Sequence, residues 1–142
     1  MLNRLLVMAV VAVFAASTGY ADQAKAKVII PVNRTAAENG KQMYLNYCSP
    51  CHGVDGRGQG PVAPALKVVP TDLTILTSSN HGRFPGTHIV TVLKNGSETP
   101  AHGSREMPVW GPILGKMDQA DRLGQLLRIS NLSSYLQTIQ TK

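Results

Sequence analysis

Leu126, Ile129, Leu132, Leu136 and Ile139 follow one another at intervals of 3, 3, 4 and 3 residues near the C-terminus. That spacing lines a single face of an α-helix. It predicts a long terminal helix beginning at Asp118, with Asp121 also in its acidic first turns. A second helix is predicted at the other end of the domain. Thr35-Ala36-Ala37-Glu38 sets a hydroxyl at the N-cap and a carboxylate three residues later, the pattern of a capping box. The helix then runs through Gly40, Tyr44 and Tyr47 into Cys48. Gly40 inside it costs about 1 kcal/mol against alanine, so its presence predicts the close approach of another backbone. Residues 53–70 are rich in Gly and Pro and read as loop. Thr71-Asp72 suits the start of a short helix over 72–78, and Thr87 the start of another over 87–95, stopped by Asn95-Gly96. Residues 96–116 read as a further loop. No segment alternates apolar and polar as a half-buried strand does. The expectation is an all-α domain with two terminal helices and loops between them.

The N-terminal apolar run stands apart from that domain. Arg4 supplies a positive start, Leu5 to Ala16 an apolar stretch, and Ser17-Thr18-Gly19-Tyr20-Ala21 the small residues of a cleavage site. This predicts a signal peptide over 1–21, cleaved after Ala21, and therefore a periplasmic location. The run is shorter than the ~20 apolar residues of a usual membrane span; an uncleaved anchor is the alternative. Cleavage leaves 121 residues, of which 22–34 read as a polar tail or linker and 35–142 as a single domain.

The formal charge is +6 for the whole chain and +5 without Arg4. The Lys and Arg residues are scattered, with no aromatic-interleaved basic stripe, which argues against nucleic-acid binding. A mildly basic face suits docking onto an acidic protein partner.

The chemistry is concentrated at Cys48-Ser49-Pro50-Cys51-His52, which holds both cysteines of the chain. C-x-x-C-H is the covalent attachment sequence for c-type haem. On a helical turn, residues three apart share a face, roughly 5–6 Å between Cβ atoms. Two thiols so placed can add to the two vinyl groups of one porphyrin, and His52 can reach the iron from the same side. A thiol–disulfide protein could also use C-x-x-C, but that reading needs a preceding strand and a βαβ pattern, and the sequence offers neither. A small domain with an aromatic content of only 5% gains from a large apolar group at its centre.

The second axial ligand has several candidates: Met43, Met107, Met117, His81, His88 and His102, or an open position. Met107 is the strongest, 55 residues after His52 and just before the last helix, with Pro108 stiffening the backbone behind it. A thioether ligand raises the reduction potential. Met117 is the runner-up, and Met43 reads as core filling. Arg83, Arg105 and Trp110 are candidate donors to haem propionates, Trp110 foremost among them. Gly53, Gly56, Gly58 and Gly60 do not form a phosphate cradle, because no strand precedes them and no G-K-[ST] follows; they let the chain turn tightly.

With these residues in hand, the sequence over about 35–140 resembles the class I cytochrome c family. Gly40 and Tyr44 resemble the glycine and aromatic of its N-terminal helix, and Leu132 and Tyr135 the apolar and aromatic positions of its C-terminal helix. The resemblance implies a cytochrome c-like fold in which these helices cross at Gly40 and enclose a covalently bound haem. Pro64 and Leu66 are similar to the family's P-x-L, which implies that the Pro64 carbonyl accepts from His52 and that Leu66 packs on the ring. Met107 matches the distal ligand. Gly60-Pro61, Asp72-Leu73-Thr74 and the stretch from His102 to Gly111 look like small bacterial monohaem cytochromes, and the lysine-rich ring of mitochondrial cytochrome c is lacking. The implied role is a periplasmic one-electron carrier, not an enzyme. It would hold a single haem c through Cys48 and Cys51 and ligate iron by His52 and Met107. Its partners would be redox proteins, with no small-molecule substrate, and a monomer is expected. The alternative is a haem c subunit of a larger oxidoreductase complex.

Overall fold

The first helix starts later than the capping box predicts. In a computed structural model that describes residues 35–96, 107–117 and 122–141, the N-cap is Asn39, whose side chain accepts from the Gln42 amide at 2.8 Å. Thr35 is diverted from capping. Its hydroxyl lies 2.8 Å from that of Tyr47, and Arg128 Nη1 donates to its carbonyl at 2.6 Å. Helix α1, residues 40–52, runs as an α-turn Gly40–Met43, a wider π-turn Tyr44–Cys48 and a last α-turn Ser49–His52.

The π-turn has a local cause and a local remedy. The Ser49 amide donates to the Tyr44 carbonyl, five residues back. The next bond in that register would need an N–H from Pro50, which has none. The hydroxyl of Ser49 supplies the missing donor, reaching the Leu45 carbonyl at 2.7 Å. Such widened turns are frequent at functional sites, and this one ends on Cys48.

The helix predicted over 72–78 does not form. Asp72 Oδ1 accepts from both the amide and the hydroxyl of Thr74, at 2.8 and 2.7 Å, so the side chain closes a turn instead of capping a helix. A 3-10 turn follows at Ser78–Asn80. Helix α2, Gly86–Asn95, matches the expected segment and stops at Gly96 with φ of +84°. Within the predicted 96–116 loop lies a short helix, α3, Trp110–Gly115. Its Pro112 sits in the first turn, where an N–H would have no intrahelical partner. Gly111 is required there, since a Cβ would strike the Lys94 backbone carbonyl. The last helix, α4, is described over Arg122–Thr138; Asp118 and Asp121 lie outside the described residues. Among the described residues there is no strand.

Helix α4 is the common wall against which α1, α2 and α3 all pack. Ile129, Leu132 and Leu136 are buried and Ile139 packs at the margin, but Leu126, expected at the start of the stripe, is 39% exposed and outside the core. Met43, Tyr44, Tyr47, Ile89, Leu93, Trp110, Leu114 and Met117 complete the core. Full burial of such side chains contributes roughly 1.5–3 kcal/mol each. The crossing of α1 and α4 occurs where the sequence predicts close approach: a Cβ on Gly40 would collide with the Asn131 carbonyl. Beside it, the Tyr44 and Tyr135 rings lie 5.3 Å apart. Met43 fills the core, as expected.

One charged side chain is buried with these apolar ones. Arg128, 2% exposed, donates from Nη1 to the carbonyl and, at 3.2 Å, to the hydroxyl of Thr35. The line continues from that hydroxyl to Tyr47, whose own hydroxyl donates to Met117 Sδ at 3.5 Å. It joins the start of the domain to α1, to the residues after α3, and to α4.

Candidate functional site

Cys48 ends the π-turn of α1, the last turn of the helix presents Cys51 and His52, and the following loop holds that last turn in place. A helix ends with carbonyls that lack donors. Here the chain doubles back to supply them. The amides of Gly58, Gly60 and Val62 donate to the carbonyls of His52, Cys51 and Pro50, at 2.7, 3.0 and 2.9 Å. Gly60 passes so near the helix that a Cβ would strike the Pro50 carbonyl, and Gly53, Gly56 and Gly58 each have φ near +80°. Amides committed to helix carbonyls do not cradle a phosphate, in line with the sequence reading. The Tyr44 hydroxyl, pushed well above its ordinary range by burial, donates to the Gly53 carbonyl at 2.6 Å. The Gly56 carbonyl in turn accepts from the Leu73 amide at 2.7 Å.

Cys48 and Cys51 are both free thiols. Burial pushes Cys48 up to about 12, with Cys51 adding to the effect, and raises Cys51 as well. Redox-active C-x-x-C pairs lower a thiol instead, so the environment runs against thiol–disulfide exchange.

His52 is half-buried, and its Nδ1 lies 3.0 Å from the Thr71 carbonyl. A carbonyl only accepts, so Nδ1 carries the proton and Nε2 keeps its lone pair. Burial pulls the imidazole below its ordinary value, partly offset by the Thr71 bond, and so keeps the ring neutral near pH 7. This corrects the expected acceptor: Pro64, at a 3-10 turn Ala63–Ala65, is exposed and does not take that bond. The physical reason is the Asp72–Thr74 turn, which brings the 70–73 segment against the glycine loop. Pro64 instead lines, with Gly58, Gln59, Gly60, Ala63 and Val69, an apolar hollow of about 300 Å³. Leu66 is half-buried, whereas Leu73, in the segment that contacts His52, packs against the core.

The remaining candidates separate clearly. Met107 is 38% exposed, just ahead of α3. Met117 is buried and spent on the Tyr47 hydroxyl. His81, at φ +54°, and Arg83 lie in an exposed turn, and His88 on an exposed face of α2. His102 and Arg105 lie outside the described residues. Trp110 is buried and stacks on Tyr47, ring centroids 5.7 Å apart. Thr71, Ser49 and Arg128 escape sequence reasoning: the first acts through its carbonyl, which every residue type possesses.

The residues present fit a covalently held haem. Two unpaired thiols stand three apart at a helix end, and the neighbouring imidazole has one nitrogen fixed as donor and the other left as a lone pair. Metal-bound histidines are oriented in this way by the partner of the second nitrogen.

A family model described as "Cytochrome C oxidase, cbb3-type, subunit III" matches residues 35–125. Among solved structures, a chain of the reducing HAO-like protein complex of Kuenenia stuttgartiensis is 22% identical, with a TM-score of 0.43. The match covers 76% of the present chain and 45% of that one, so this chain spans less than half of its length. No match was found among curated proteins.

Proposed function

The chain belongs to the c-type cytochrome family described as cytochrome c oxidase, cbb3-type, subunit III, and from that premise we propose that it is a periplasmic one-electron carrier holding one haem c. The observation that supports this most is the His52–Thr71 bond at 3.0 Å beside two free thiols. Cys48 and Cys51 would form the two thioethers, each thiol hydrogen passing to the vinyl carbon that does not bond sulfur. His52 would ligate iron through Nε2, and Met107, at the exposed start of the α3 region, would supply the second ligand. Trp110 and Leu66 would border the ring. When bound, the haem supplies a ferric/ferrous couple that accepts and releases one electron at a time. The chain's own part is to hold the imidazole neutral and oriented, to keep apolar side chains around the site, and to exclude other ligands with sulfur. No substrate is transformed in this reading.

Residues 1–21 would direct export and be removed, and 22–34 would link to the domain. Among the described residues no helix is long and apolar enough to cross a membrane. Lys41, Arg57, Lys67, Arg83, Lys94, Lys116 and Arg122 outnumber Glu38, Asp55 and Asp72 among the described residues, which suits docking of a monomer onto acidic redox proteins. Expression in a haem-attaching host tests the proposal. Colour that survives denaturation and a mass increase of one haem are expected, and their absence would refute the carrier role.

A second reading follows from the family's description: a haem c subunit fixed within a larger oxidoreductase. Co-purification of a larger subunit with the native protein, against its isolation alone, separates the two.

A further inference from the structure

The carbonyl that holds His52 belongs to a segment fastened from two sides. On one side is the glycine loop. The Gly56 carbonyl accepts from Leu73, and a Cβ on Gly58 would strike the Pro70 carbonyl. On the other side is the C-terminus. The Gln140 amide nitrogen donates to the carbonyls of Leu73 and Leu136, at 2.7 and 2.8 Å. The Gln140 Oε1 accepts from the Thr77 amide at 2.9 Å. Thr141 adds two bonds to the Thr74 carbonyl, from its amide at 2.8 Å and its hydroxyl at 3.1 Å. Both N–H groups and the oxygen of the Gln140 amide are thus engaged and its orientation settled, since Thr77 needs an acceptor and the two carbonyls need donors.

We propose that Gln140 is a positioning residue for His52: by clamping Leu73 and Thr77 it sets where the Thr71 carbonyl stands, and through it the proton on Nδ1. Only Asp72 separates Thr71 from Leu73, the first clamped carbonyl, so a shift of the clamp reaches the imidazole with little slack. The consequence for electron transfer rests on the haem reading above. A hydrogen bond from Nδ1 makes the ligating nitrogen more basic, which favours ferric iron. Loosening the clamp raises the potential.

The test uses Gln140→Met, close in size and without the three hydrogen bonds, in the full holoprotein. Thr138→Ala serves as the control. It removes an exposed bond, Oγ1 to the Tyr135 carbonyl at 2.7 Å, from the same end of α4. A positive shift of the midpoint potential is expected for Gln140→Met and not for Thr138→Ala. Removal of residues 141–142 should give a smaller shift of the same sign, and it stands in if Gln140→Met does not fold. A second readout needs no haem: the Nδ1–H of His52 in the haem-free chain should exchange faster in Gln140→Met, by nitrogen-edited NMR. If wild-type protein acquires no haem, the carrier reading fails, and the exchange rate still decides the positioning claim. An unchanged exchange rate, or a potential that is unmoved, lowered or equally moved in Thr138→Ala, would overturn it.

Discussion

The hydroxyl of Ser49 donates to the carbonyl of Leu45 at 2.7 Å, in the place where the proline that follows has no N–H to give. Serine in a helix interior is ordinarily neutral to unfavourable. Here it repairs a register that Pro50 would leave open. Ser49→Ala should therefore destabilise the domain by about 1 kcal/mol, the lower end of the range for stranding an acceptor, because this bond is only partly buried, with thiol content unchanged. Urea unfolding of the haem-free chain measures it.

Gly40→Ala sets two effects against each other. Alanine gains about 1 kcal/mol of helix propensity. Its Cβ also meets the Asn131 carbonyl, a backbone atom that cannot rotate away, and the Tyr135 Cβ at 3.1 Å. Overpacking of this kind costs roughly 1–3 kcal/mol or more, so net destabilisation is expected. A midpoint equal to or above wild type would show that the two helices can part without loss.

Acid should weaken the haem-free chain in two windows. His52 lies below its ordinary 6.5 because of burial, so on acidification the unfolded chain takes a proton first. Stability then falls as pH drops below 6.5, by at most about 1.4 kcal/mol per pH unit for one proton. The carboxyl of Asp72 is held below 3.8 by the Thr74 hydroxyl and amide. Its contribution is whole above 3.8 and disappears as pH falls through the lowered value. In unfolding midpoints followed against pH, His52→Gln should flatten the upper window and Asp72→Asn the lower one.

Met107→Ala bears on the proposed ligand set. Loss of the thioether should lower the potential and let carbon monoxide bind the ferrous iron, since sulfur ligation raises potential and closes the sixth position. Potentiometric titration and optical spectra under carbon monoxide check both. A variant that keeps the wild-type potential and a sulfur ligand would remove Met107 from the site.

How much of this was legible in the sequence depended on the reach of each cause. The end of α2 and the α4 stripe from Ile129 onward are local patterns and read correctly, whereas Leu126, counted in the same stripe, is exposed. Gly40 was legible because a glycine is costly in a helix unless something lies against it. Thr35 misled because its hydroxyl and carbonyl are claimed by Tyr47 and Arg128, 12 and 93 residues away, and Asn39 takes over the cap. Helix α3 was hidden by its own Gly111 and Pro112, each tolerated for a positional reason that only the neighbouring chain reveals. The His52 acceptor was assigned to Pro64 by resemblance, whereas the fold delivers Thr71. A backbone carbonyl leaves no mark in a residue pattern.

The bonds that shape the attachment turn join Pro50 to Val62, Cys51 to Gly60 and His52 to Gly58. All fall within a dozen or so residues, and loops of that length close in well under a microsecond. The clasp between Gly40 and Asn131, by contrast, must wait for both ends of the chain. The attachment turn can therefore sample its shape many times while the rest of the chain is still open, long before α1 and α4 meet. Haem attachment, as proposed, would thus find two thiols and an imidazole that a few local bonds can arrange before the globule closes.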